Sequence, residues 1–257
     1  MPDVQSTKPA YAVLCTPHRT YQLRQVQTSN SVFITHPVPC ESNSDETPPS
    51  GICALATCNA TLELHPLPNA ALAHLIAALP VWHGRPDSLD VDLSARGATR
   101  TTQHDVFASI PFSDGECAVA WTHLCAFTHG NHAFVPSSRI LTQLWHAILS
   151  AALADGIDLS SSFLVRDLLA AVADEGYPPA LLAAVVARLL PEGEDVGDGW
   201  ARVDRDECVR WTGTVILEAC GGGGMGTAEF VEAWRDSLPE TWRGEARLEK
   251  IKVGGDT

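Results

Sequence analysis

Apolar and polar residues alternate along the first third of the chain and recur at helical spacing along the rest. Alternation with β-branched and aromatic residues predicts short strands over residues 11–14, 21–26, 31–34, 52–58 and 60–64. The polar run Thr28, Ser29, Asn30 is expected to form a turn between the second and third of these. Residues 40–50, acidic and rich in serine between Pro37, Pro39, Pro48 and Pro49, read as a loop that buries little. An apolar helix is expected over 70–79, closed by Pro80. Short strands of this kind form an incomplete sheet, and open sheet edges invite a partner strand.

From His104 onward the period changes to that of helices. Ser113 and Glu116 have the spacing of a capping box, followed by the apolar stripe Val119, Ala120, His123, Leu124, Phe127. A short strand over 133–135 precedes a helix capped by Ser137 or Ser138, running through Leu141, Leu144, Trp145, Ile148, Leu149 and Leu153 to Gly156. Helices over 163–173 and 180–190, with Pro178 and Pro179 presetting the second, lead to a strand over 199–203. Asp204 is placed to cap the next helix, through Cys208, Trp211, Val215, Ile216 and Leu217. The order helix, helix, strand, helix thus occurs twice, over 104–154 and 161–220, as expected of small winged-helix units. After the glycines at 221–224, Thr227 is expected to cap a further helix.

Charge narrows the function classes. The 257 residues are 45% hydrophobic and 19% charged, with a net charge of −14, more than half of it on residues 161–257. An acidic chain repels phosphate backbones, so DNA binding is expected to be weak or to run through a complex. The one tight basic group is Arg202, Arg205 and Arg210, interrupted by Asp204, Asp206 and Glu207. No apolar run reaches the roughly 20 residues of a membrane span, and residues 1–10 lack the apolar core of a signal peptide. Cytoplasm or nucleus follows, and without a basic address cluster a nuclear protein would enter with its partners.

The candidate chemistry is sparse. None of the eight cysteines forms a Cys-x-x-Cys pair, and buried thiols in a reducing compartment are the expectation. Cys117, His123, Cys125, His129 and His132 form a possible metal set, but a second paired motif is lacking, so core cysteines and loop histidines are the better reading. The glycine run follows a helix and precedes no Gly-Lys-Ser/Thr, so it is not a phosphate loop. Most of Trp121, Trp145, Trp200, Trp211, Trp234 and Trp242 lie in apolar stripes and are expected in the core. No catalytic constellation assembles, so no enzyme activity, cofactor or metal is expected.

The run Thr20-Tyr21-Gln22-Leu23-Arg24-Gln25-Val26, followed by Thr28-Ser29-Asn30-Ser31, resembles the signature of the DCC family (defective in sister chromatid cohesion). The stretch 57–66 (TCNATLELHP) is similar to fungal members, as are 106–127, 156–178, 199–218 and 228–242. Against the family pattern the chain looks short at both ends. The resemblance implies an α+β fold, with an N-terminal β domain forming a partial barrel, followed by tandem winged helices. It also implies a non-catalytic subunit of the alternative replication factor C clamp loader, in the nucleus. Its expected partners are the large chromosome-transmission-fidelity subunit, its small companion and the DNA polymerase epsilon catalytic subunit, with the sliding clamp PCNA reached indirectly. The competing reading is a stand-alone winged-helix DNA-binding regulator.

On this basis residues 1–82 are expected to dock partners and 83–103 to link. Residues 104–159 and 160–225 would form two winged-helix units, and 226–257 the start of a third. Tyr21, Leu23, Val26, Val32 and Phe33 are expected to build the β core and the partner edge. Arg202, Arg205 and Arg210 are the candidate nucleic-acid contacts.

Overall fold

The computed structural model describes residues 12–39, 50–67, 70–84, 102–191, 199–221 and 225–251. The expected loop at 40–49, most of the expected linker and Gly222 to Gly224 lie outside these residues. The architecture is mixed α+β, and the chain divides into two compact units.

The first unit comprises residues 1–68 with 111–116. Its described part is a three-stranded antiparallel sheet ordered β1 (Val13–Cys15), β2 (Thr20–Pro39), β3 (Ser50–Pro66). The expected turn at Thr28-Ser29-Asn30 is not a turn. The strand continues through it, and the irregularity appears as a register shift between the Gln27–Ala60 and Val32–Cys58 pairs. Extra residues in one strand of an antiparallel pair bend the ladder without ending it. The two strands expected at 52–58 and 60–64 are likewise one, β3. Five short strands therefore become one short strand and two long ones. The sheet is open, and no closed barrel forms among the described residues.

The base of this unit is clipped by residues 111–116. Buried Thr20 accepts a hydrogen bond at its Oγ1 from the Ser113 N–H (2.8 Å), and the Gly115 N–H donates to Pro17 O (3.0 Å). Gly115 permits this close approach: a Cβ would lie 3.0 Å from Pro17 O and 3.1 Å from His18 Cα, tighter than ordinary contact. The capping box expected of Ser113 and Glu116 is altered accordingly. Ser113 Oγ accepts from Glu116 N–H and donates to the Glu116 carboxylate, while its own N–H goes to Thr20.

The second unit, residues 69–110 and 117–257, holds the hydrophobic core. Helix α1 (Ala70–Ala78) and strand β4 (Val81–Trp82) open it. Then come α2 (Gln103–Ser109), α3 (Asp114–His123), and the hairpin β5 (Phe127–His129) with β6 (His132–Pro136). Helix α4 (Ser138–Ala154) leads to β7 (Phe163–Leu164), α5 (Val165–Val172), α6 (Pro179–Leu189) and β8 (Trp200–Ala201). Helices α7 (Arg205–Ala219) and α8 (Thr227–Asp236) follow. Strand β4 pairs with β6, and β7 with β8.

The expected order helix, helix, strand, helix occurs among the described residues as α2, α3, the β5–β6 hairpin and α4, and again as α5, α6, β8 and α7.

Helix ends follow local chemistry. Thr102 caps α2 with a full capping box to Asp105, a start that lay inside the expected linker. Asp204 caps α7 by accepting from Glu207 N–H at 2.9 Å. Gly226, not Thr227, is the N-cap residue of α8.

Packing is dense around α4, α6 and α7. Leu144, Ile148, Leu181, Val185, Val209 and Trp234 are fully buried. Trp145 meets Trp211 edge-on at 5.8 Å, and its indole N–H donates to Ser237 O at 2.7 Å. The segment from Phe230 through Trp242 to Ile251 belongs to this same core. Two stripes differ from expectation. In α3 the buried face is Cys117, Ala120 and Trp121, leaving Val119 and His123 exposed. In α4 the last expected member, Leu153, is 84% exposed.

Candidate functional site

The β2–β3 hairpin is the feature of this chain that packing does not explain. Strand register sorts its side chains. In the inner half, Tyr21, Leu23 and Gln25 face the same way as Pro66, Leu64 and Leu62 opposite them, with Leu14 of β1 beside Tyr21. The other face carries Gln22, Arg24 and Val26 against His65, Glu63 and Thr61, including the oppositely charged cross-strand pair Arg24 and Glu63.

The outer half differs. Residues 31–39 and 50–62 contain no Asp, Glu, Lys or Arg. Beyond the first irregularity, Phe33 and Thr57 pair on one face, and Pro37 pairs with Ile52. Val32, Ile34 and Val38 alternate onto the other. Leu55 is the extra residue of the second irregularity, where Ile34 pairs with Ala56 and Thr35 with Ala54. All of these large apolar side chains are exposed, Phe33 by 56% and Ile52 by 77%. Apolar groups open to water on both faces of one ribbon favour burial strongly, at roughly 25 cal/mol per Å² removed from water.

The edges are open too. Strand β1 pairs with Thr20, Tyr21 and Gln22, and Leu23 N–H donates to Ala12 O at 2.8 Å; beyond Leu23, β3 is the one strand beside β2 among the described residues. Pro37 and Pro39 remove N–H donors from β2 near its tip. Among the described residues the outer edge of β3 has no neighbouring strand, and it runs without proline from Gly51 to His65. It is therefore the better template for an added strand.

The five residues expected to build the β core and partner edge do not build a core. Tyr21, Leu23 and Val26 are half-buried, and Val32 and Phe33 are exposed. Among the described residues this unit has one sheet layer, and a single layer does not enclose a core by alternation alone. Sequence reasoning missed Ile34, Val38, Ile52, Leu55, Leu62 and Leu64 as members of the same surface. The signal was present: a long uncharged apolar stretch on both arms of a hairpin.

The arginine group belongs to the helical unit, around the start of α7. Arg205 pairs with Glu245, and Arg210 with Glu207 (2.7 Å), which also takes Arg188. Lys250 bridges Asp206 (2.8 Å) and Glu245 (2.7 Å). Two of the three arginines are thus engaged by carboxylates, while Arg202 is exposed. Trp200 is exposed on β8, unlike the other tryptophans of the helical unit.

The histidine and cysteine set is dispersed. Cys117 and Cys125 are buried, and burial pushes the Cys125 thiol up to about 12. His129 and His132 flank a two-residue turn, Gly130 and Asn131, both at positive φ. Their spacing is that of a type I′ hairpin. Among the described residues no group of three or more His, Cys, Asp or Glu is placed to hold a metal ion. No described helix is long and apolar enough to cross a membrane. Cys15 and Cys53 are exposed, against the expectation of burial.

Two comparisons bear on identity. Residues 4–253, nearly the whole chain, match the family described as sister chromatid cohesion protein Dcc1, and the chain belongs to that family. No curated protein matches it significantly.

Proposed function

We propose that this member of the sister chromatid cohesion family is a non-catalytic docking subunit of an alternative replication factor C clamp loader in the nucleus. Membership implies a role in sister chromatid cohesion. The observation that carries the finer reading is the β2–β3 hairpin, apolar on both faces of its outer half and, among the described residues, unpaired along the outer edge of β3. Such a ribbon suits insertion between partner chains, with strands added at its edge. The partners we assign are the large chromosome-transmission-fidelity subunit and its small companion. Through them the loader of PCNA would be docked to the DNA polymerase epsilon catalytic subunit. The repeated order helix, helix, strand, helix, from α2 to α4 and from α5 to α7, supports reading the helical unit as tandem winged helices.

Co-expression with both partners, followed by size-exclusion chromatography with mass determination, tests this. A stable heterotrimer is expected, lost when Leu23→Glu and Phe33→Glu are introduced. Assembly unchanged by both substitutions would remove the hairpin from the interface. A chain that stays monomeric beside both partners, yet binds duplex DNA through Arg202, Arg205 and Arg210, would favour the stand-alone regulator. The ion pairs of Arg205 and Arg210 speak against that outcome, because phosphate would have to displace carboxylates already in place.

A further inference from the structure

The helical unit carries a second surface of a different kind. The last turn of α4, the loop at 156–160 and residues 239–241 enclose an open cleft of about 420 Å³. Its apolar lining comes from Leu149, Ala152, Leu153, Ile157, Leu159 and Pro239. Leu153 stands 84% exposed in the wall, where an ordinary helix stripe would have buried it. The turn beneath is well built. Asp155 N–H donates to Ala151 O (3.0 Å), Ile157 N–H to Ala152 O (2.7 Å), and Gly156 at φ 68° makes the left-handed step.

The electrostatics of the cleft have one sign. Asp158 and Glu240 line it, Asp155 caps the helix beside it, and no lining residue is basic. The last turn of α4 has no basic residue to offset the negative end of its dipole. Asp158 is held in place by Ser160, whose N–H and hydroxyl donate to Oδ1 at 2.9 and 2.6 Å, bonds that keep its carboxyl below the usual carboxylate range.

We propose that this cleft docks a basic peptide segment of a partner protein, seating one large apolar side chain against Leu149, Leu153 and Pro239 while flanking Lys or Arg meets Asp155, Asp158 and Glu240. The volume suits one or two side chains. With Leu153 exposed in its wall, a small ligand would stay wet, whereas an extended chain crossing the cleft covers that leucine. The acidic rim selects the partner's charge. This site is separate in residues and in chemistry from the uncharged hairpin, so either can fail without the other.

The test uses the full chain and a fluorescein-labelled nine-residue peptide, GSKRLKKSG, read by fluorescence polarisation. Two control peptides replace the leucine by serine, or the four basic residues by glutamate. Saturable binding of the first peptide alone is expected, weakening as salt rises. The exposed substitutions Leu153→Lys and Glu240→Lys should each weaken it by about tenfold or more. Deuterium exchange should show protection confined to 149–160 and 239–241. No saturable binding, equal binding of a control peptide, or indifference to both substitutions overturns the proposal. So does a concentration-dependent dimer that Leu153→Lys abolishes, which would assign the cleft to a second copy of the chain.

Discussion

The hairpin and the helical unit use the same apolar residue types to opposite ends. In the helical unit, Leu144, Leu181, Val209 and Trp234 point inward from several helices and close on one another. In the hairpin, Val32, Phe33, Ile34 and Ile52 point to both sides of a single ribbon and stay exposed. The difference lies in the number of layers. Helices with one apolar stripe can share a core, whereas a lone two-stranded ribbon has none to share. Substitutions in the first region should therefore register as lost stability, and those in the second as lost assembly.

Trp234→Ala should break the helical unit most severely. Its ring is fully buried, packs on Gly213, and donates its N–H to Val209 O at 2.9 Å. A loss of about 3–5 kcal/mol in urea unfolding is expected. Phe33→Glu makes the contrasting case. It should weaken assembly with the two loader partners by about a hundredfold, the loss of roughly 2.7 kcal/mol. The unfolding midpoint of the isolated chain should stay unchanged. A large drop in stability from Phe33→Glu would mean that the hairpin is covered within this chain after all.

Smaller effects sharpen the helical side. Gly213→Ala places a Cβ 2.6 Å from the Trp234 ring and 2.7 Å from Ile251 Cδ1. Overpacking there costs about 1–3 kcal/mol, against a helix-propensity gain of about 1 kcal/mol. A net destabilisation in thermal unfolding is expected. Asp204→Ala removes the cap of α7 and should cost about 0.5–2 kcal/mol by the same assay.

Thiols distinguish the two regions with the least perturbation. Burial pushes Cys125 and Cys208 up to about 12. Both should resist alkylation in the folded chain at pH 8, while exposed Cys15 and Cys53 react, as mass spectrometry of the modified peptides would show. Linkage gives the sign of the pH effect. Between about pH 9 and pH 12 the unfolded chain releases thiol protons that the folded chain holds, so stability falls as pH rises. Equal labelling of all four thiols at pH 8 would show that the core opens readily.

Much of the helical unit was legible because local chemistry and burial agree there. Asp204 caps where its side chain can accept, Pro179 starts α6, and Leu141, Leu144, Trp145 and Ile148 share one face of α4. The stripes of α3 and α4 were misjudged at Val119 and Leu153. Periodicity names a face, but its edges depend on what packs against it. Thr28-Ser29-Asn30 misled for a related reason. Polar residues favour a turn locally, but pairing with β3 on both sides carries the strand through. The docking surface was half legible, in Val32 and Phe33. Its far arm, from Ile52 to Leu64, was legible only as separate strands.

The sequence by itself determined the change from period two to helical period, the Asp204 cap of α7, the uncharged composition of the hairpin arms and the family. These depend on residues near one another in the chain. Only the tertiary structure decided that Val32, Phe33, Ile34 and Ile52 are exposed, that Arg205 and Arg210 are engaged by carboxylates, and that Leu153 lines a cleft. Each of those depends on which distant residues come to lie beside them, or fail to, and no local pattern encodes that.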